Sequence, residues 1–94
     1  MIVGACTLRL YLAGCTSLKQ KRSRIKPLLA RLHREFNVAA AEVGLQDVWQ
    51  SADIAIVAVA NETAPVEAEL QRIVKWVEHS WPEVEVTRAE IELR

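Results

Sequence analysis

Seven consecutive residues, Ile54-Ala55-Ile56-Val57-Ala58-Val59-Ala60, are apolar without a break. A strand with one wet face alternates apolar and polar side chains, so a run apolar at every position reads as a strand inside a sheet, covered on both faces. The strand is placed within Trp49 to Asn61. A second stretch, residues 2 to 12, behaves similarly: Ile2, Cys6, Leu8, Leu10 and Leu12 share one face, and Val3, Ala5, Thr7, Arg9 and Tyr11 share the other. Two such central strands need flanking strands and helices to bury them.

The segments between them supply both. Ala13-Gly14-Cys15-Thr16 ends the first strand, and Ser17 with Gln20 forms a Ser-x-x-Gln capping box that starts a helix over residues 18 to 36. Leu18, Ile25, Leu29, Leu32 and Phe36 make one apolar stripe, with Leu28 on its flank. Pro27 lacks the donor for the Ser23 carbonyl. Either the helix kinks there, or Ser23 caps a fresh start; the stripe keeps its phase across the proline, which favours the kink.

Asn37 to Val43 reads as a short edge strand, and Gly44-Leu45-Gln46-Asp47 as the turn of an antiparallel hairpin. A second helix begins near Thr63 or Ala64, with Pro65 in its first turn and Glu67 and Glu69 toward its positive end. Val66, Leu70, Ile73, Val77 and Trp81 form its apolar face. Val84 to Leu93 closes the chain as a glutamate-rich edge strand whose apolar phase shifts near Arg88, the mark of a β-bulge.

Strand, helix, strand, strand, helix, strand, with the first and third strands doubly apolar, predicts an α+β, ferredoxin-like βαββαβ sandwich. Its antiparallel sheet has the order 4-1-3-2, with two helices on one face. The 94 residues make one domain, 1-94, large enough for a modest core without disulfides. No apolar run reaches the roughly 20 residues of a membrane span and no secretory signal precedes the first strand, so the expected location is cytoplasmic. Cys6 and Cys15 match no metal or redox spacing; Cys6 is expected to be buried, and Cys15 lies in a loop. No cofactor and no metal site is expected.

The zero net charge conceals a segregation. Residues 1 to 34 hold eight cations and no anion, whereas residues 35 to 94 hold four cations and all twelve anions. Seven cations, Lys19, Lys21, Arg22, Arg24, Lys26, Arg31 and Arg34, lie in the first helix. They form a candidate footprint for RNA phosphates. The competing reading is a solvated helix face partly neutralised by Glu67, Glu69 and Glu78 of the second helix. The aromatic run that an RNA-recognition motif carries on its central strands is absent; Tyr11 and Trp49 are the sole candidates for stacking a base through the sheet.

Some of these residues are also familiar as a set. Ser17-Leu18-Lys19-Gln20-Lys21-Arg22 with Lys26, Phe36-Asn37-Val38 through Ala41-Glu42-Val43, and Asp47-Val48-Trp49-Gln50 resemble the YlxP-like family of small bacterial proteins, a domain of unknown function. The resemblance covers essentially the whole chain. It implies a ferredoxin-like fold in a cytoplasmic bacterial protein, and a genomic setting beside transcription, translation-initiation and ribosome-maturation factors. It assigns no catalytic residue.

The leading functional expectation is therefore a non-enzymatic RNA- or ribosome-associated protein. The alternative is a homodimeric interaction module. Two helices cover only one sheet face, which leaves Val3, Ala5, Ala55, Val57 and Val59, joined by Tyr11 and Trp49, as a candidate apolar interface. Catalysis is not expected: His33 and His79 lie on different helices, and Glu42, Asp47 and Gln50 around the hairpin suit turn chemistry as well as a polar site.

Overall fold

The computed structural model describes residues 1 to 94. β1 (Ile2–Tyr11), α1 (Leu18–Glu35), β2 (Ala39–Gly44), β3 (Ser51–Ala60), α2 (Thr63–Ser80) and β4 (Glu85–Leu93) follow in order. One antiparallel sheet runs β2-β3-β1-β4, which is the expected 4-1-3-2 order read from the other edge. The chain has the ferredoxin-like α+β fold.

β1 and β3 pair over ten residues, from Ile2 opposite Ala60 to Tyr11 opposite Ser51. Because directly paired residues share a face, this register puts Cys6, Leu8 and Leu10 level with Ile56, Ile54 and Ala52. All six are fully buried beneath the helices. α2 closes the core with Val66, Leu70, Ile73 and Val77, each such side chain contributing about 1.5–3 kcal/mol on burial. Gly4 lies under α2, where a Cβ would overlap Val66 Cγ1 and come within 2.9 Å of Leu70 Cδ1. The bareness of glycine at this position sets the helix-to-sheet distance.

α1 is capped as its sequence specifies: Ser17 Oγ accepts from the Gln20 N–H at 3.1 Å. The return bond differs from the usual box, because Gln20 Oε1 accepts from the Thr16 N–H at 2.9 Å, one residue before the cap. The helix runs unbroken through Pro27, and the Ser23 hydroxyl donates back to the Gln20 carbonyl at 2.7 Å, so Ser23 does not start a second helix. α2 begins at Thr63 with no acidic residue in its first turn; Glu67 and Glu69 lie one turn later than the dipole argument placed them.

The β4 bulge is present. Arg88 pairs with Arg9 and Val86 with Leu10, so Thr87 is the extra residue, and its hydroxyl donates to the Arg9 carbonyl at 3.1 Å. β2 has an equivalent bulge at Val43, between Glu42 opposite Ile54 and Gly44 opposite Asp53. Cys15, although in a loop, is as fully buried as Cys6. Burial pushes the Cys6 thiol up to about 11, which leaves it protonated and inert at neutral pH.

Candidate nucleic-acid interface

α1 presents its cations on more than one side. At about 100° per residue, Lys19, Arg22, Lys26 and Arg34 project away from the buried row Lys21, Ile25, Leu28 and Leu32. All four outward cations are exposed, and none forms an ion pair within the chain. The acidic residues of α2 do not neutralise them; Glu69 instead pairs with Arg72 on its own helix at 2.5 Å.

The other three expected contacts face elsewhere. Arg24, half-buried, donates through Nη1 to the Ala13 carbonyl at 2.7 Å and braces the loop before the helix. Arg31 pairs with Glu35 at 3.3 Å and lies over the rings of Trp76 and Trp81, 5.8 and 6.0 Å from their centroids. It belongs to an aromatic corner in which Phe36 meets Trp76 edge-on at 5.4 Å.

Lys21 is a correction to the expected footprint. Its side chain is only 2% exposed and turns inward, where Nζ donates to the carbonyls of Leu45 at 2.5 Å and Val48 at 2.8 Å. It also lies 2.9 Å from Glu42 Oε2, an ion-pair contact outside hydrogen-bond geometry. Lysine can enter a core in this way because its ammonium donates to two carbonyls beside a carboxylate of opposite charge while its methylenes pack against apolar neighbours. The signal was in the spacing: Lys21, Ile25, Leu28 and Leu32 recur at i, i+4, i+7 and i+11, so Lys21 occupies a core position of its own helix.

This clamp brings together segments distant in sequence. The start of α1, Glu42 on β2 and the loop from Leu45 to Gln50 converge at one end of the molecule. The loop is held further by Val48 N–H to the Leu45 carbonyl at 3.0 Å and by Leu12 N–H to the Gln50 carbonyl at 2.8 Å. Leu45 takes a left-handed φ of 59°, a conformation that costs a non-glycine residue roughly 1–2 kcal/mol. Two shallow clefts adjoin here. Asp47, Val48, Trp49 and Gln50 line one, Leu18, Lys21, Arg22, Glu42, Gln46 and Asp47 the other, and Asp47 is common to both.

The open sheet face is divided. Val3, Ala5, Ala55, Val57 and Val59 lie together, joined by Ala39, which pairs with Val57, and Ala41, which pairs with Ala55. Val59 is 58% exposed, so within the single chain the second face of β3 is not covered as its apolar run implied. Across the middle, Arg9 grips Asp53 through two bonds, Nε to Oδ1 at 2.9 Å and Nη2 to Oδ2 at 3.0 Å. Beside them Arg88 pairs with Glu90, which offsets the repulsion of Arg9 and Arg88 standing opposite each other. The hydrogen bonds from Arg9, against some opposing desolvation, hold the Asp53 carboxyl below the usual carboxylate range. Tyr11 lies beyond this polar belt and Trp49 beyond the end of the sheet, so neither extends the apolar patch as expected.

His33 and His79 are exposed, and His33 Nε2 lies against the Ala40 backbone, tying α1 to β2. No helix is long and apolar enough to cross a membrane, and no three His, Cys, Asp or Glu side chains are grouped to hold a metal ion.

Comparison with known proteins finds similarity along nearly the whole chain. The chain is 41% identical over 87 residues to the uncharacterized protein YlxP of Bacillus subtilis (strain 168), a match covering 90% of this chain and 91% of the relative. A family model described as a protein of unknown function, DUF503, matches residues 3–91. The Lys21 clamp thus unites the segments that carried the resemblance, and the chain belongs to the YlxP-like DUF503 family.

Proposed function

We propose that this protein is a non-enzymatic, cytoplasmic RNA-binding protein that docks the outer face of α1 on RNA phosphates, in a ribosomal setting. The row of four exposed, unpaired cations, Lys19, Arg22, Lys26 and Arg34, carries this reading. From Lys19 to Arg34 the row spans about 22 Å at 1.5 Å per residue, enough to meet several phosphates of one strand. The anions are concentrated in the rest of the chain, so attraction is confined to one surface and orients the encounter.

The test is cosedimentation with ribosomal subunits at low and moderate salt, comparing wild type with a Lys19→Glu, Arg22→Glu, Lys26→Glu variant. Lys21 is left intact because it is part of the core. Four phosphate contacts predict a loss of roughly 50- to 150-fold in affinity between 50 and 200 mM salt. Association that survives the triple reversal, or no association by the wild type, refutes the proposal.

The open sheet face favours a second reading. The contiguous patch around Val57, with Val59 more than half exposed, suits a sheet-to-sheet homodimer. Light scattering would then give twice the chain mass, reduced to the monomer by Val59→Asp with the fold retained. A monomeric mass at high protein concentration removes this reading.

A further inference from the structure

Trp49 is 51% exposed on a loop that is not free to fold it away. Its neighbours on both sides are fastened: the Val48 carbonyl to the buried Lys21 ammonium at 2.8 Å, and the Gln50 carbonyl to the Leu12 N–H at 2.8 Å. The same ammonium holds the Leu45 carbonyl, at the residue whose backbone is strained into the left-handed region. Strain and a buried charge that keep a large aromatic ring in solvent oppose the ordinary tendency to bury it. Such a combination is found where a surface is pre-organised for a ligand.

The surroundings specify the ligand's chemistry. Trp49 lines a shallow cleft of about 250 Å³ with Asp47, Val48 and Gln50, and Asp47 leads into the adjoining cleft lined by Arg22 and Gln46. The side chains of Asp47, Gln46 and Gln50 make no hydrogen bond or ion pair within the chain. An indole face, free acceptors and donors beside it, and a cation row starting at Arg22 and Lys19 match the three parts of a nucleotide: the flat base, its polar edge and its phosphate. An apolar protein side chain would use the ring but would leave the amides and carboxylate without partners.

We propose that the β2–β3 loop is a seat for one unpaired nucleobase of single-stranded RNA, stacked on Trp49, with the adjoining phosphates running onto Arg22 and Lys19 of α1. The inference rests on the phosphate-binding reading above and adds a preference that phosphate contacts cannot supply. A duplex keeps its bases stacked on each other, so only an unpaired base reaches the indole. Lys21 acts as a positioning residue beneath the loop.

The experiment measures fluorescence anisotropy with two labelled probes, a short single-stranded oligoribonucleotide and an RNA duplex. Wild type is compared with Trp49→Ala, Trp49→Phe and Lys19→Gln/Lys26→Gln. Because Trp49 is exposed, its replacement is expected to leave the thermal midpoint unchanged, which is measured alongside. Trp49→Ala should weaken the single-stranded probe by roughly 5- to 150-fold, leave the duplex affinity and its salt dependence as they were, and be largely rescued by Trp49→Phe. The double cation variant should weaken both probes. Equal binding of the single strand by wild type and Trp49→Ala overturns the base seat while leaving the phosphate reading intact. Absence of binding to either probe by the wild type overturns both.

Discussion

Lys21→Met tests the internal clamp most directly, because methionine nearly matches the lysine stem in length and removes only the charge and its donors. Three interactions disappear together: the bonds to the carbonyls of Leu45 and Val48, and the contact with Glu42. Bonds to charged groups contribute about 1.5–3 kcal/mol each. The loop is exposed at Gln46, Asp47 and Val48, however, so both carbonyls can turn toward water, and about 1 kcal/mol apiece is a fair cost. Glu42 is left without its cation at 22% side-chain exposure, which adds about 1 kcal/mol, well below the 3–5 kcal/mol of a fully buried orphaned charge. The expected loss is about 3 kcal/mol, a substantial part of the roughly 5–14 kcal/mol total stability of a chain of 94 residues. For a domain of this size it lowers the melting temperature by about 12–24 °C. Urea unfolding monitored by circular dichroism should show the midpoint falling at constant slope. Adding Glu42→Gln should recover about 1 kcal/mol by removing the orphaned carboxylate. A Lys21→Met protein within about 0.5 kcal/mol of wild type would mean that the lysine behaves as an ordinary surface cation and does not clamp the loop.

Three other perturbations probe the frame around the site. Gly4→Ala forces a methyl group into Val66 and Leu70 and should cost about 2–3 kcal/mol in denaturant unfolding; no change would mean that α2 can ride away from the sheet freely. Pro27→Ala restores a donor for the Ser23 carbonyl in a helix that is already continuous, and should raise stability by about 1–3 kcal/mol; a decrease would show that the proline ring itself is needed for packing. The Asp53 carboxyl titrates below its unfolded-state value because Arg9 bonds to its charged form. The contribution of this pair is therefore fully present above about pH 4 and is lost as pH falls through the lower folded-state value. Asp53→Asn should flatten the acid side of the stability curve in that window and leave the neutral-pH shape unchanged; an identical acid limb in both proteins refutes it.

The overall fold was legible because each level of the sequence pointed the same way. The doubly apolar runs at residues 2–12 and 54–60 named the central strands. The cap at Ser17 and the proline at Pro65 placed both helix starts, and the phase shift near Arg88 located the bulge at Thr87 to within one residue. These are local signals, set by backbone geometry and side-chain periodicity within a few residues. The functional surface was legible only in part. Counting cations in α1 grouped seven together, yet periodicity alone would have separated Lys21 from Lys19, Arg22 and Lys26 had its place in the apolar stripe outweighed its charge.

What the amino-acid order determined by itself was the succession of elements, the apolar face of each and the separation of charge between the first 34 residues and the rest. Which cations face solvent, which acceptors receive the Lys21 ammonium, and how the Arg9–Asp53 pair cuts the open sheet face in two were decided only by tertiary structure. The reason is physical: the state of a lysine or arginine depends on what stands within about 3–4 Å of its charged end. For Lys21 the two carbonyls that accept from it are 24 and 27 residues away along the chain, with Glu42 of β2 beside them, and for Arg9 the partner is 44 away. No local pattern encodes such a meeting; it exists only once β2, β3 and the loop between them have been folded against the start of α1.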